Sequence, residues 1–295
     1  MIRDIDSVNH VGHVVRDLDA AAARFEDMGF VLSPLSMHFG SPGPGKLEQP
    51  LGSGNRCAIF PDNYLEIVAH VDPDKYDLFC GRYIERFEGA HIICFGCGDA
   101  GVVDRRVRAG GIDTSGVIPL QRDLDTLEGQ RTAKFDCVHF AAAATPEGLI
   151  QAAHHRTPEH IHQARYLDHP NGSVALTDVY LSTVDPAATA ERYEMLTGRT
   201  ARAANGSYVF DMPRPAGSRV SVLSATEVSD WLPGAAKHPG PHLAGYAFGT
   251  TDLDAVLWHL ETAEIAHVRH GGRLVVPAEA AFGSVVVFET IGRHD

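Results

Sequence analysis

A few polar side chains stand where their surroundings make them chemically conspicuous. His10 and His91 each fall early in a short apolar run, Val8-Asn9-His10-Val11-Gly12 and Ala90-His91-Ile92-Ile93-Cys94, that opens onto an amphipathic helix. Two imidazoles at matching places in repeated units suit a shared metal ion. Glu66 interrupts the apolar strand Tyr64-Leu65-Glu66-Ile67-Val68, and a buried carboxylate is costly unless it pairs or coordinates. His38 precedes a Gly/Pro-rich stretch, and His154 and His155 open a histidine-rich segment. Imidazole titrates near neutral pH, so Glu66, His38 and His154 are the expected proton-handling groups. His13 lies three residues beyond His10; strand alternation sends it to the opposite face, and a structural role is expected. Cys94 and Cys97 face opposite ways on the same argument, and with no second CxxC they read as structural.

The elements that would position these groups repeat. Asp17 can cap a helix in which Leu18, Ala21, Ala22, Phe25 and Met28 recur at helical spacing and Gly29 ends the run. Runs at Arg56–Phe60 and Tyr64–Val68, parted by the turn-forming Pro61-Asp62-Asn63, read as strands, giving a βαβββ unit. The order returns from Ala90 with a helix starting at Asp99, from Thr177 with Asp185 as cap and Pro186 behind it, and from His242 with Asp252 as cap. Asp185 and Asp252 lie 168 and 235 residues after Asp17, and His91 lies 81 after His10, as duplicated modules leave behind. The expectation is an α+β chain of four βαβββ modules, with an N-terminal lobe at 5–156, a linker at 157–171 and a C-terminal lobe at 172–292. The stretches 39–54 and 118–129 read as loops that set specificity.

A formal charge of −13 over 295 residues disfavours nucleic acid and anionic membrane surfaces as partners and leaves a small molecule. No run approaches the roughly 18 apolar residues of a membrane span, the first residues carry acids rather than an apolar leader, and five irregularly spaced cysteines suit reduced thiols. A cytoplasmic protein is expected, as monomer or homodimer. No Walker or GxSxG motif supports nucleotide binding or serine hydrolysis.

His10 with Val14-Val15-Arg16-Asp17-Leu18-Asp19-Ala20, Tyr64-Leu65-Glu66-Ile67 closing the first module and Leu149-Ile150-Gln151 closing the second resemble the vicinal oxygen chelate superfamily. That superfamily holds glyoxalase I, extradiol dioxygenases and bleomycin-resistance proteins. The segments His154–Glu159 and His169-Pro170-Asn171-Gly172 are similar to its bacterial glyoxalase-like members. The resemblance implies paired modules forming open, U-shaped mixed sheets, and a divalent ion (Fe2+, Zn2+, Mn2+ or Ni2+) on His10, Glu66, His91 and Gln151. Modules three and four hold Asp178 and Gly245 at the place of His10, so the implied metal site belongs to the N-terminal half. The implied function is glyoxalase-like lyase or isomerase chemistry on a substrate with adjacent oxygens. Extradiol-type Fe(II) dioxygenase chemistry and non-catalytic binding are the alternatives.

Overall fold

Each predicted helix cap is present. The computed structural model describes residues 4–40, 46–215 and 217–291. Asp17, Asp99, Asp185 and Asp252 each accept backbone N–H bonds from the first turn of α1 (Leu18–Asp27), α3 (Ala100–Ala109), α4 (Pro186–Thr197) and α6 (Leu253–Thr262). These bonds satisfy donors that a helix start leaves unpaired. The short α2 (Cys80–Ile84) and α5 (Val228–Trp231) lie outside the repeat.

Strands β1 (Ile5–Val14), β2 (Ser36–Gly40), β3 (Gln49–Ile59), β4 (Tyr64–His70), β5 (Gly89–Cys97), β6 (Ile118–Thr126), β7 (Gly129–His139) and β8 (Leu149–His155) form one mixed sheet in the order β2-β3-β4-β1-β5-β8-β7-β6. Strands β9 (Ser173–Thr183), β10 (Arg202–Ala204), β11 (Ser207–Asp211), β12 (Arg219–Ser224), β13 (His242–Thr250), β14 (Val268–His270), β15 (Arg273–Val276) and β16 (Val285–Thr290) form a second in the order β10-β11-β12-β9-β13-β16-β15-β14. The two orders are the same, as two pairs of βαβββ modules require. In each sheet the first strands of two modules pair antiparallel at the centre, and each also pairs in parallel with the last strand of its own module.

Two stretches read as loops are largely strand. Residues 39–40 and 49–54 belong to the β2–β3 hairpin, while 41–45 lie outside the described residues. Residues 118–126 form β6, paired throughout with β7. The reason is positional: β2 and β6 are edge strands, where Gly, Pro and charge are tolerated and no apolar pattern is required.

The helix-bearing faces of both sheets share one apolar core, joining Val11, Phe25 and Ile93 to Val179, Tyr193 and Phe248. Residues facing away from that core form smaller clusters of their own, Tyr180, Ala244 and Val287 in the second sheet and Val14, Val68 and Ile92 in the first. Polar staples cross between the sheets: Asn63 grips the Leu176 backbone at 2.8 and 2.9 Å, and Asn171 donates to the Met28 carbonyl at 2.9 Å. His13 points into the shared core, Nδ1 2.8 Å from the Tyr246 hydroxyl and Nε2 2.8 Å from the Phe282 carbonyl. Phe282 is held at φ 52°, and Gly283 beside it at φ 92° has no room for a Cβ, which would sit 1.7 Å from the Glu88 carbonyl oxygen. No helix among the described residues is long and apolar enough to cross a membrane.

Burial pushes His13 down to about 4, partly offset by its bond to the Phe282 carbonyl. The unfolded chain therefore takes up a proton below about 6.5 that the folded chain refuses until about 4. Stability is full above that window and falls through it by about 1.4 kcal/mol per pH unit for each such histidine. Denaturant unfolding at pH 7 and pH 5 should show the loss, and His13→Gln should flatten the slope by one proton; an unchanged slope would refute the assignment.

Candidate functional site

On β1, His10 and Gly12 face away from the shared core while Val11 and His13 face into it, as alternation requires. His10 lies opposite Tyr64 on β4 and stacks on its ring at 4.5 Å; Glu66, two residues on, lies opposite Gly12. His10 Nδ1 is 2.8 Å from Asn9 Oδ1, so that nitrogen carries the hydrogen and Nε2 keeps its lone pair, 3.9 Å from Glu66 Oε2. Burial pushes His10 down to about 4 against the pull of Glu66. Burial acts on Glu66 in the opposite sense, but His38, His10 and Arg122 outweigh it and hold the carboxyl at about 2. A neutral imidazole thus faces an ionised carboxylate.

His38, on β2, reaches the same carboxylate. Its Nδ1 meets Ser53 Oγ at 2.9 Å, its Nε2 accepts from Asn55 Nδ2 at 3.0 Å and lies 3.8 Å from Glu66 Oε1, and Asn55 Nδ2 also donates to Glu66 Oε1. Asn55 therefore fixes Glu66 and His38 together. The sequence reading missed it, because nothing before folding ties β3 to β2 and β4 at that point.

His91 is not part of this group. Asp99 lies 82 residues after Asp17, whereas His91 lies 81 after His10, and a slip of one residue on a strand exchanges its faces. In the ladder His10 meets Cys94, while His91 falls at an irregularity between Ala90, opposite His13, and Ile92, opposite Gly12. Its ring packs between Tyr83 and Phe87, with Nε2 2.9 Å from the Phe87 carbonyl. Gln151 shares the ladder row of His10 but stands beyond Cys94, two strands away, about 10 Å at normal strand spacing. Among the described residues no three His, Cys, Asp or Glu side chains are grouped to hold a metal. His91 therefore stands apart from the donor set implied by resemblance, while His10 and Glu66 suit a cation, as a free imidazole nitrogen beside an ionised carboxylate.

His154 lies on the face of β8 away from Gln151, though it borders a cavity of about 600 Å3 together with His155. On β8 alternation places Gln151, Ala153 and His155 on one face; His155 has ring neighbours in Phe135 at 4.8 Å and Tyr64 at 6.3 Å, with Nδ1 buried and unpartnered. His154 turns the other way, 4.0 Å from Asp136. Counting in twos from Gln151 would have selected His155.

The second sheet shows what the corresponding place becomes without this arrangement. Asp178 occupies the position of His10, and Arg219 lies opposite it as Tyr64 does in the first sheet. Arg219 bridges Asp178 at 2.5 Å and Glu289 at 3.0 Å, and Ser221 adds a bond to Asp178 at 3.0 Å. That place is occupied by the chain's own ion pairs.

A profile of the glyoxalase-like domain matches residues 8–197. The chain belongs to the glyoxalase-like domain family. That span contains His10, His38, Asn55, Glu66 and His155. Among solved structures, this glyoxalase-like chain is similar to a hypothetical protein from Staphylococcus aureus (10% identity, 96% of this chain and 99% of that one, TM-score 0.61). It is also similar to a mutant of 4-hydroxymandelate synthase from Streptomyces coelicolor (13%, 97% and 93%, 0.60). A third is the Mn(II)-bound glyoxalase from Novosphingobium aromaticivorans (14%, 97% and 82%, 0.57). At these identities the likeness is one of fold, and it is the vicinal oxygen chelate fold. No curated protein sequence matches this chain.

Asp178 is only 1% exposed, so Arg219→Met should strand a buried carboxylate and cost about 3–5 kcal/mol in denaturant unfolding. A loss below about 1 kcal/mol would show that the pair is not what closes the second sheet.

Proposed function

We propose that the chain is an enzyme of the vicinal oxygen chelate type that works in the first sheet on a small substrate with adjacent oxygens, aided by a divalent ion at His10 and Glu66. The observation that carries this is the His10–Glu66 pair: Nε2 and a carboxylate oxygen 3.9 Å apart on the cavity face, with Asn9 fixing the imidazole from behind. A second-layer acceptor on the far nitrogen is how proteins orient a ligating histidine. A bound divalent ion would supply Lewis-acid chemistry, polarising a substrate carbonyl or hydroxyl.

The remaining roles fall to the chain itself. Asn55 keeps Glu66 turned toward His10, and the ionised Glu66 accepts a proton released by substrate. His38, 3.8 Å from that carboxylate, stands where it can receive the proton in turn. Tyr64 covers one face of the His10 ring and limits its motion. The Novosphingobium glyoxalase, bound to Mn(II), supports the reading through shared fold.

Protein reconstituted with Mn2+ or Zn2+ should retain about one equivalent. His10→Ala and Glu66→Gln should each lower affinity at least tenfold in calorimetric titration, the usual range for losing a ligand or its support, whereas His91→Gln should bind as the parent does. Equal metal content in His10→Ala and parent would sink the proposal. A screen of 2-oxo and 2-hydroxy compounds with and without dioxygen then separates isomerase from oxygenase chemistry.

A further inference from the structure

Three residues that line one cleft each carry a buried polar atom without a hydrogen-bond partner among the described residues: Arg122 Nε, Asn55 Oδ1 and Gln163 Oε1. The cleft, of about 240 Å3, lies where β2 and β3 approach β6. Buried polar groups are almost always paired, so three orphans around one space describe the complement of a ligand.

The orientation of each is fixed by its neighbours. Gln163 Nε2 donates to the carbonyls of Asp125 and His160 at 3.1 and 2.9 Å, which leaves its oxygen facing the cleft. Asn55 Nδ2 is held by Glu66 and His38, and a flipped amide would set its oxygen against the Glu66 carboxylate. Arg122 has no hydrogen-bond or ion-pair partner among the described residues; its guanidinium stands 5.8 Å over the Phe135 ring. Its charge is felt by Glu66, His10 and Tyr64, which places it on the cavity side of β6. One donor cation and two acceptors thus converge on a space whose inner wall, Asn55, touches Glu66.

We propose that Arg122, Asn55 and Gln163 form the substrate's recognition pocket, and that the substrate is a small monocarboxylate with a hydroxyl or N–H donor near the carboxylate. The guanidinium takes the carboxylate, a geometry to which its planar fork is suited, and the two amide oxygens take the donors. A monoanion fits better than phosphate, because Arg122 is a single cation and Asp123 and Asp125 line the same cleft. The volume lies below the roughly 300–1,000 Å3 of pockets for drug-sized ligands, which bounds the substrate to a few carbons or one ring. This deepens the proposed function by naming its substrate class, and it rests on the same site.

The test is calorimetric binding of a panel of small 2-hydroxy and 2-oxo carboxylates, each beside its methyl ester and against inorganic phosphate, on metal-free and Mn2+-loaded protein. Expected are at least one acid bound tenfold or more tightly than its ester with or without metal, loss of that preference in Arg122→Gln, and partial recovery in Arg122→Lys. Gln163→Met, which keeps the cation, should erase the preference for hydroxy acids over the same acids lacking the hydroxyl. Acids and esters binding alike, a preference seen only with metal, phosphate binding more tightly than every carboxylate, or an unchanged preference in Arg122→Gln would each overturn the proposal. His10→Ala separates the two readings: it should abolish metal retention and leave the acid-over-ester preference of the metal-free protein intact.

Discussion

The antiparallel register between β1 and β5 governs what the first sheet can do. These strands meet at the centre, where two modules join, and each side chain on them is committed either to the core shared with the second sheet or to the cavity. His10 meets Cys94 across the ladder, and the irregularities on either side decide that Val11 and Ile93 go inward while Gly12 and Ile92 stay with the cavity. Because side chains alternate with a period of two, one extra residue in one strand reassigns a face completely. His91 occupies such a place and becomes a packed ring between Tyr83 and Phe87.

Around that register the molecule handles buried charge in two ways. The second sheet, with the same strand order, places Asp178 where the first has His10 and closes the position with Arg219 and Glu289. Carboxylates removed from water are tolerable there because guanidinium hydrogen bonds occupy them. In the first sheet Glu66 is held ionised by an amide, two imidazoles and the more distant Arg122, none of which forms a full ion pair with it. The two sheets thus differ: in the second, Arg219 is bonded to both carboxylates, and in the first no guanidinium is bonded to Glu66.

The shared core explains why the two sheets can carry different polar groups on their other faces without a change of fold. The helix-bearing faces of both sheets pack together, and His13, Asn63, Asn171 and His169 tie segments across them through buried hydrogen bonds. The segment read from sequence as a linker therefore acts as a fastener: His169 receives the Val31 N–H and meets the Ile59 carbonyl. Each cavity face lies away from this core, so residues there change without disturbing it.

Much of the architecture was legible in the chain itself. Four aspartate caps, four amphipathic helices and the apolar runs between them are local signals, readable because capping and alternation act over a few residues. His10 and Glu66 were readable for the same reason, each being a polar residue in an apolar strand. What only the tertiary structure decided concerns contacts between strands far apart in sequence. The displacement of His91 follows from cross-strand register, the placing of His155 beside Tyr64 from the face on which β8 is laid, and the convergence of Asn55, Gln163 and Arg122 from the approach of β3, the segment after β8 and the edge strand β6. Local chemistry fixes what a strand is, but which of its faces meets a cavity, and what waits there, is set by pairing with partners the strand does not encode.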